Sequence, residues 1–342
     1  MHRNEFFALV LAVSGICAVS GCLHATGAHE PRAPGSAAPS AALQPAATFS
    51  VPDAVLPKPL VVIAYGDIRF TDPAETSATS PAARRALIAK VAKEHPEAVF
   101  LDGDIPWHGM SADYDVYRGE TQVWRDQHLR VYPALGNHEF SKCEQDQCLE
   151  YWWTAFPELR GRRWYSVALG DRVLALMLDS DTSLFPGSEQ RTWLEQQFAS
   201  LDKRAQLVLI VLHHPPVADV QTVNEVDHNP RPNEQSLAAF LTTIAPTLHA
   251  RILVSAGHIH NYERQEQGGV MYLVSGGGGA KPVEIDRTAA DLYQGTDFPN
   301  YHYVRLELKD GRLFAEMIRL ATPGAALPRW EVRDRFELSP RP

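Results

Sequence analysis

Beyond residue 59 the chain alternates short apolar runs with amphipathic segments. Five of the apolar runs are rich in β-branched residues, and each one ends in a polar cluster. Short, continuous runs of this kind are typical of strands that are buried on both faces of a sheet. The pattern therefore predicts buried strands at 60–65, 98–101, 131–135, 207–212 and 251–256.

Helices are predicted between several of these strands. Ser80 followed by Pro81 is a helix start, because serine caps the first turn and proline suits the first helical position. Ser188 is a second candidate cap, for a helix that reaches Ser200, and 234–248 has the pattern of a third helix. The alternation of strands and helices indicates an α/β fold. With no internal repeat and no second linker, we predict one domain at residues 59–342.

The polar clusters at the strand ends contain metal-ligand side chains. In α/β sheets, sites form outside the carboxyl ends of the strands, so these clusters should meet. Carboxylate, amide and imidazole groups suit Zn, Mn, Fe or Mg. Six or seven such ligands are too many for one tetrahedral zinc ion, and they favour a two-metal site. The strand ends offer Asp67, then Asp102 and Asp104, Asn137 and His138, His213 and His214, and finally His258 and His260.

A two-metal site indicates hydrolysis at phosphorus. Two cations about 3.5–4 Å apart can clamp the attacking and leaving oxygens, and metal-bound hydroxide supplies the nucleophile near neutral pH. No protein nucleophile is then needed, and the sequence contains neither Gly-x-Ser-x-Gly nor His-Glu-x-x-His. The glycines at 276–279 also miss the phosphate-loop pattern, because no Lys-Ser/Thr pair follows them.

The order Gly-Asp, Gly-Asp, Gly-Asn-His-Glu, His-x-Pro and Gly-His-x-His resembles the calcineurin-like metallophosphoesterases. The segment 257–264, Gly-His-Ile-His-Asn-Tyr-Glu-Arg, resembles the purple acid phosphatase branch in particular. The resemblance covers about residues 60–280. It implies a four-layer αββα sandwich, in which two mixed β-sheets pack face to face with helices outside.

The resemblance also implies roles for single residues. Asp67 and His260 would bind a first metal ion, and Asp104 would bridge both ions. The second metal ion would be held by Asn137, His213 and His258. His138 would steer the phosphate and protonate the leaving oxygen, which is general-acid catalysis. The expected cofactors are two Fe, Mn or Zn ions.

Two positions depart from the family pattern. Arg69 stands where many members have a histidine, and Trp107 stands where purple acid phosphatases have a ligating tyrosine. We therefore expect the first metal site to be the weaker one. Arg69 has two readings: it holds a phosphate oxygen as a catalytic residue, or it pairs with a carboxylate such as Asp72. His108 is either a substitute ligand or a loop residue that faces solvent or substrate.

The N-terminus predicts export. Residues 6–19 form an apolar stretch after His2 and Arg3, and it is short for a bilayer span. The stretch ends in Val-Ser-Gly-Cys at 19–22, which resembles the lipobox of bacterial lipoproteins. This predicts a signal peptide at 1–21 and a lipid on Cys22 that tethers the protein to a membrane, facing the periplasm or the cell exterior. An ordinary cleaved signal peptide or an uncleaved anchor is the alternative.

Residues 22–58 are rich in Ala, Pro and Ser and are predicted to be a flexible tether. Export would place Cys143 and Cys148 in an oxidising compartment, where a disulfide between them is expected. A Cys–Cys metal clip is the less favoured reading, because no second pair completes a four-ligand site.

Net charge limits the choice of partner. The formal charge of −9 argues against nucleic acid, which needs clustered Lys and Arg. It does not exclude a small phosphorylated substrate, because bound cations reverse the local field.

We expect hydrolysis of phosphomonoesters, with phosphodiesters or nucleotides as the alternative. A non-catalytic metal-binding surface protein on a degenerate phosphatase scaffold is the alternative outside enzymes. His228 and Arg231 are candidates for substrate contact in the polar loop 219–233.

Overall fold

The computed structural model describes residues 47–222 and 226–339, which form thirteen strands and six α-helices. The strands are β1 (Phe49–Val51), β2 (Leu60–Tyr65), β3 (Ala98–Leu101), β4 (Arg130–Pro133), β5 (Tyr165–Leu169), β6 (Val173–Met177), β7 (Leu207–Val211), β8 (Arg251–Ala256), β9 (Tyr262–Gln267), β10 (Val270–Ser275), β11 (His302–Lys309), β12 (Arg312–Leu320) and β13 (Trp330–Leu338). The helices are α1 (Pro81–Glu94), α2 (Ser111–Glu120), α3 (Gln122–Asp126), α4 (Gln145–Ala155), α5 (Glu189–Ala199) and α6 (Pro232–Ile244).

The strands form two mixed sheets. One sheet has seven strands in the order β1-β5-β6-β7-β8-β10-β9, and the other has six in the order β13-β12-β11-β2-β3-β4. The five strands predicted from apolar runs are present, four in the interior of these sheets and β4 at the edge of one, and they pair in parallel: β2 with β3, β3 with β4, and β7 with β8. Their carboxyl ends therefore point the same way within each sheet, as strand-end sites require.

Alternation along β7 shows how the layers pack. Leu207, Leu209 and Val211 belong to the core that also contains residues of the six-stranded sheet. Val208 and Ile210 point the other way, into a second core with the apolar side chains of α5 and α6. Side chains of α1 pack in the first core, against the six-stranded sheet. The predicted sandwich of two mixed sheets with helices is confirmed.

The three predicted helices are present. The Ser80 hydroxyl accepts the Ala83 N–H at 3.3 Å at the start of α1, and the Ser188 hydroxyl accepts the Arg191 N–H at 3.3 Å at the start of α5. The third helix begins at Pro232, two residues earlier than predicted, and its α-helical part ends at Ile244. Proline at the first helical position explains the early start.

The predicted tether is wrong at its carboxyl end. β1 lies at 49–51, inside the segment 22–58, and pairs in parallel with β5. Phe49 packs against Tyr132 and Tyr165 with ring centroids 5.8 and 5.6 Å apart. Aromatic packing therefore draws this piece into the fold, although its surroundings are rich in Ala and Pro. The predicted signal peptide, Cys22 and the rest of the tether up to residue 46 lie outside the described residues.

The predicted disulfide joins Cys143 to Cys148. It ties the loop after the Gly-Asn-His-Glu motif to the first turns of α4. Within the described ranges, no helix combines the length and the apolar character that a bilayer crossing needs.

Candidate metal centre

The six predicted ligands meet at the carboxyl ends of five strands from both sheets. His260 Nε2 lies 3.4 Å from Asp67 Oδ1, and His213 Nε2 lies 3.2 Å from Asp104 Oδ1. His213 Nε2 also lies 3.0 Å from Asn137 Oδ1 and 3.2 Å from His258 Nδ1. The His258 N–H donates to Asp67 Oδ2 at 2.8 Å, which joins the two halves of the cluster. Asp67, Asp104 and His213 are completely buried.

The first predicted metal position has two acceptors facing each other. His260 Nδ1 lies 2.7 Å from the Lys281 carbonyl oxygen, so Nδ1 carries the proton and Nε2 presents a lone pair. That lone pair faces Asp67 Oδ1, and neither atom has a hydrogen-bond partner although both are buried. Two buried acceptors at 3.4 Å need a positive charge between them, so these residues fit a metal ion.

The second predicted position has the same character. His213 Nδ1 lies 3.0 Å from the Asp102 carbonyl oxygen, which again turns Nε2 toward oxygen acceptors, here Asp104 and Asn137. Burial would lower the pKa of His213, but Asp104 and Asp67 outweigh it and raise that pKa. Burial, together with His213, lowers the pKa of His258 and keeps its ring neutral, which is the form that binds metal. The donor set of imidazoles, a carboxylate and an amide oxygen suits Zn, Mn or Fe.

Asp104 lies at the centre of the positive groups. Burial alone would raise its pKa, but His213, His138 and Arg69 hold the pKa of this carboxyl well below its usual range. Asp104 Oδ1 accepts the His138 N–H at 2.9 Å, and Asp104 Oδ2 accepts from Arg69 Nη2 at 3.1 Å. The carboxylate is thus ionised, and one of its oxygens lies within 4.8 Å of an oxygen of Asp67 and of a ring nitrogen of His213, one from each half of the cluster.

The backbone around the ligands is in rare conformations. Asp67, Asp104 and His258 have φ angles of 58°, 52° and 70°, in the left-handed region. Each such residue costs about 1–3 kcal/mol, which the surrounding hydrogen bonds must offset. Glycines allow the close approach: a Cβ on Gly136 would lie 2.5 Å from Asp104 Oδ1, and one on Gly257 would lie 2.5 Å from Asp67 Oδ2. This explains why glycine precedes Asn137 and His258.

Arg69, Trp107 and His138 lie together beside Asp104. The ion pair of Arg69 is with Asp104 rather than with Asp72, the example that the sequence suggested. The guanidinium carbon of Arg69 lies 4.8 Å from the centre of the Trp107 ring, and the His138 ring stacks on the same indole at 4.6 Å. His138 Nδ1 lies 2.7 Å from the Trp107 carbonyl oxygen, so Nε2 is turned toward Asp104, 3.8 Å from Oδ2. His108 pairs instead with Asp113 at 3.6 Å.

Two histidines near the centre had little or no signal in the sequence. His214 is buried, and one of its ring nitrogens lies within 4.8 Å of those of His213 and His258. Ser180 orients it: the Ser180 hydroxyl accepts the His214 N–H at 3.1 Å and lies 2.8 Å from Nδ1. His228, a weak candidate from its loop position, lies with its ring centroid 5.0 Å from that of His258. Arg231, the other loop candidate, pairs with Glu234 and Asp181.

Glu139 is a structural residue whose role sequence reasoning missed. Its carboxylate is buried and accepts three backbone N–H groups, those of Asp104 at 3.1 Å, Ile105 at 2.9 Å and Gly136 at 2.8 Å. Burial and the nearby Asp104 raise the pKa of Glu139. One side chain therefore fixes the loops that follow β3 and β4. The only signal was its place in Gly-Asn-His-Glu.

Replacing Glu139 with alanine is expected to lower stability, because three buried N–H groups lose their acceptor. Each unsatisfied group costs about 1–3 kcal/mol, so we expect a loss of about 3 kcal/mol or more, measured by urea unfolding. Glu139→Gln retains one oxygen acceptor and should lose less. Glu144→Ala, on the exposed surface nearby, is the control. Equal stability of Glu139→Ala and the control would contradict the bracing role.

Glu263 is a second buried acid, behind the ligand loop. It accepts the Asp219 N–H at 2.6 Å, and burial raises its pKa from an ordinary 4.5 to about 8. The folded protein therefore holds this proton at pH values where the unfolded chain has lost it, so the free energy of unfolding should fall as pH rises from about 4.5 to about 8. The neighbouring Arg264 pairs with Asp334.

We expect Glu263→Gln to abolish the fall in the free energy of unfolding that Glu263 causes as pH rises from about 4.5 to about 8. The variant should be close to wild type in stability at pH 5 and increasingly more stable than wild type toward pH 8, as measured by thermal unfolding at several pH values. Glu266→Gln, at the exposed end of the same strand, should show no such trend. A stability difference independent of pH would show that Glu263 does not hold the proton.

The two mixed sheets with their helices and the two groups of facing acceptors define an α/β protein with a candidate metal centre. A family model, calcineurin-like phosphoesterase, matches residues 60–262, more than half of the chain. The chain therefore belongs to the calcineurin-like phosphoesterase family. A probable purple acid phosphatase from Arabidopsis thaliana is 31% identical over 93 residues, which are 27% of this chain and 20% of that protein.

Solved structures share the fold. A purple acid phosphatase from seeds of yellow lupin (Lupinus luteus) matches with a TM-score of 0.67 at 18% identity, over 86% of this chain and 55% of that one. GAP50, the anchor in the inner membrane complex of Plasmodium, matches with a TM-score of 0.57 at 13% identity, over 84% and 90%. The chain spans about half the length of the lupin protein and a fifth of the Arabidopsis protein. The Arabidopsis and the lupin protein both carry the name of the purple acid phosphatases, the branch that segment 257–264 resembles.

Proposed function

We propose that this protein hydrolyses phosphate esters, with phosphomonoesters as the preferred substrates, at a centre of two metal ions. The observation that carries the proposal is the pair of sites where buried acceptors face each other, His260 with Asp67 and His213 with Asp104 and Asn137, in a phosphoesterase family. When bound, such cations lower the pKa of a coordinated water and so supply a nucleophile near neutral pH.

The side chains of the protein supply the rest of the chemistry. Arg69 presents a fixed guanidinium beside the ligands, with Nε unpartnered, and its fork geometry suits a phosphate oxygen. His138 Nε2 faces the same region, and because Nδ1 is bound to the Trp107 carbonyl, the doubly protonated ring is the form whose Nε2 delivers a proton to the leaving oxygen. A monoester carries one more charged oxygen than a diester, and these two groups beside Asp104 favour the more highly charged substrate.

A substrate panel on metal-stripped protein tests the proposal. An aryl monoester, a diester and a pyrophosphate are each assayed with Mn, Zn, Fe or Mg added. We expect turnover only after metal is added, and faster turnover of the monoester. A preference for the diester would move the assignment to phosphodiesterases. Absence of turnover with every combination would reject the enzymatic function.

A second candidate function is non-catalytic metal binding on the same scaffold. Two observations favour it: Arg69 stands where many family members have a ligand, and the similar fold of GAP50 belongs to a protein described as an anchor. The two candidates differ in one result. A binding protein would take up metal in the panel, and its thermal unfolding temperature would rise, without turnover of any ester.

We further propose that the protein is exported and tethered to a membrane by a lipid on Cys22. Support comes from the sequence alone, Val-Ser-Gly-Cys after an apolar stretch. Cys22→Ala should move the protein from the membrane fraction to the soluble fraction of the source cell, or leave it unprocessed. Unchanged fractionation and the absence of a lipid mass on the mature N-terminus would reject the anchor.

A further inference from the structure

We propose that Trp107 is a positioning residue, whose indole holds Arg69 and His138 at the spacing that a phosphate group needs. The proposal rests on the proposed function, because it assigns how that centre receives its anion. Trp107 has no ring atom that could ligate a metal ion, and its side chain is only partly buried. An indole kept at the edge of a polar centre needs an explanation other than core packing.

The guanidinium and the imidazole both contact this one ring. Arg69 Cζ lies 4.8 Å from the centre of the indole, within the range of a cation–π contact. The His138 ring is stacked on it at 4.6 Å with an angle of 21° between the planes. The two side chains also approach the same atom, Asp104 Oδ2, at 3.1 and 3.8 Å. The indole and this oxygen together leave each group little freedom.

The backbone places the ring where it can act in this way. The loops after β2 and β3 are joined by hydrogen bonds: the Arg69 N–H donates to the Asp104 carbonyl at 3.0 Å, and the Trp107 N–H donates to the Phe70 carbonyl at 2.9 Å. Arg69 has a left-handed φ of 54°. The Trp107 carbonyl also fixes the His138 tautomer through Nδ1. Trp107 is therefore tied to both groups through its backbone as well as its ring.

Without the indole, the guanidinium and the imidazole would have more freedom to lose on binding an anion, and that loss of freedom weakens binding. Holding them in advance should raise affinity for the phosphate group and aim His138 Nε2 at the leaving oxygen. Neither effect requires Trp107 to touch the reacting atoms. The indole should therefore act through Arg69 when phosphate binds, and through His138 when the ester bond breaks.

The test compares Trp107→Phe, which keeps a ring, with Trp107→Met, which fills space without a π face. Inorganic phosphate is the probe, titrated calorimetrically into metal-loaded protein. We expect Trp107→Met to bind phosphate roughly 3- to 30-fold more weakly, as the loss of a cation–π contact predicts, with unchanged metal content. Trp107→Phe should stay within about threefold of wild type. Trp193→Met, a partly buried tryptophan of α5, is the matched control.

A double-mutant cycle separates positioning from a general structural role. If the indole acts through Arg69, Trp107→Met should weaken phosphate binding little in an Arg69→Met background. An undiminished effect there, or equal losses in Trp107→Phe and Trp107→Met, would overturn the proposal. Trp107→Leu replaces Trp107→Met if the latter does not fold. Failure of both to fold would assign the indole to the core and reject positioning.

The binding readout does not depend on turnover. A wild-type protein that binds phosphate but hydrolyses no ester would end the proposed function, and the cycle would still decide the role of Trp107. A metal-loaded wild type that binds no phosphate would overturn the positioning proposal. In a protein that does turn over, Trp107→Met should lower kcat as well as raise KM, because His138 is also released.

Discussion

Asp104→Asn is expected to reduce hydrolysis to below a hundredth of wild type and to lower the metal content at both positions. Losing a residue that hydrogen-bonds to a metal ligand typically costs 10–100-fold in metal affinity or activity. Asp104 would itself bind both ions, so its loss should cost at least as much. The side chain is completely buried and lies among His213, His138 and Arg69. Removing its charge leaves three positive or potentially positive groups without the anion that compensates them.

The same argument predicts the effect on stability. Breaking a buried ion pair by removing one partner costs about 3–5 kcal/mol, because the other charge stays buried. Arg69 is that other charge here, with a side chain 10% exposed. Metal content by mass spectrometry, turnover and urea unfolding measure the three effects. The control is Asp334→Asn. Asp334 is also the partner of an arginine, Arg264, but it makes no hydrogen bond to a candidate ligand. Full metal content in Asp104→Asn would contradict a bridging role.

The sequence predicted the strand ends well because each is a local pattern. A β-branched run followed by Gly-Asp or Gly-His places a ligand at the end of a buried strand, whatever the rest of the chain does. The direction of parallel strands then brings Asp67 and Asp104 together, and β7 and β8 bring His213, His258 and His260. The same reasoning missed β1, because three residues in an Ala/Pro-rich segment carry no periodic signal.

Contacts between loops could not be predicted in this way. Asp72 lies three residues from Arg69, yet its carboxylate accepts the Ala74 N–H in a local turn. The left-handed φ of Arg69 and its hydrogen bond to Asp104 turn the guanidinium toward the metal centre instead. Glu139 is similar: its role depends on three N–H groups that come from two loops. Such roles follow from backbone direction, which a single sequence does not display.

His138→Ala is expected to slow hydrolysis by a factor of about 10²–10⁴ while metal content is unchanged. We expect the rate to change without the metal content because the His138 ring contacts the Trp107 carbonyl and indole, and its Nε2 lies 3.8 Å from Asp104. Its backbone N–H, which donates to Asp104 Oδ1, survives the substitution. The ligands therefore keep their arrangement, and only the proton donor is removed.

The leaving group shows whether His138 acts as the acid. An alkyl phosphate releases a basic oxygen that needs a proton, whereas 4-nitrophenyl phosphate releases an oxygen that leaves without one. His138→Ala should therefore lose the full factor on the alkyl ester and much less on the nitrophenyl ester, in single-turnover measurements with both. His108→Ala, which removes a histidine paired with Asp113, should leave this ratio at the wild-type value. Equal losses on the two esters would show that His138 positions the phosphate and does not deliver the proton.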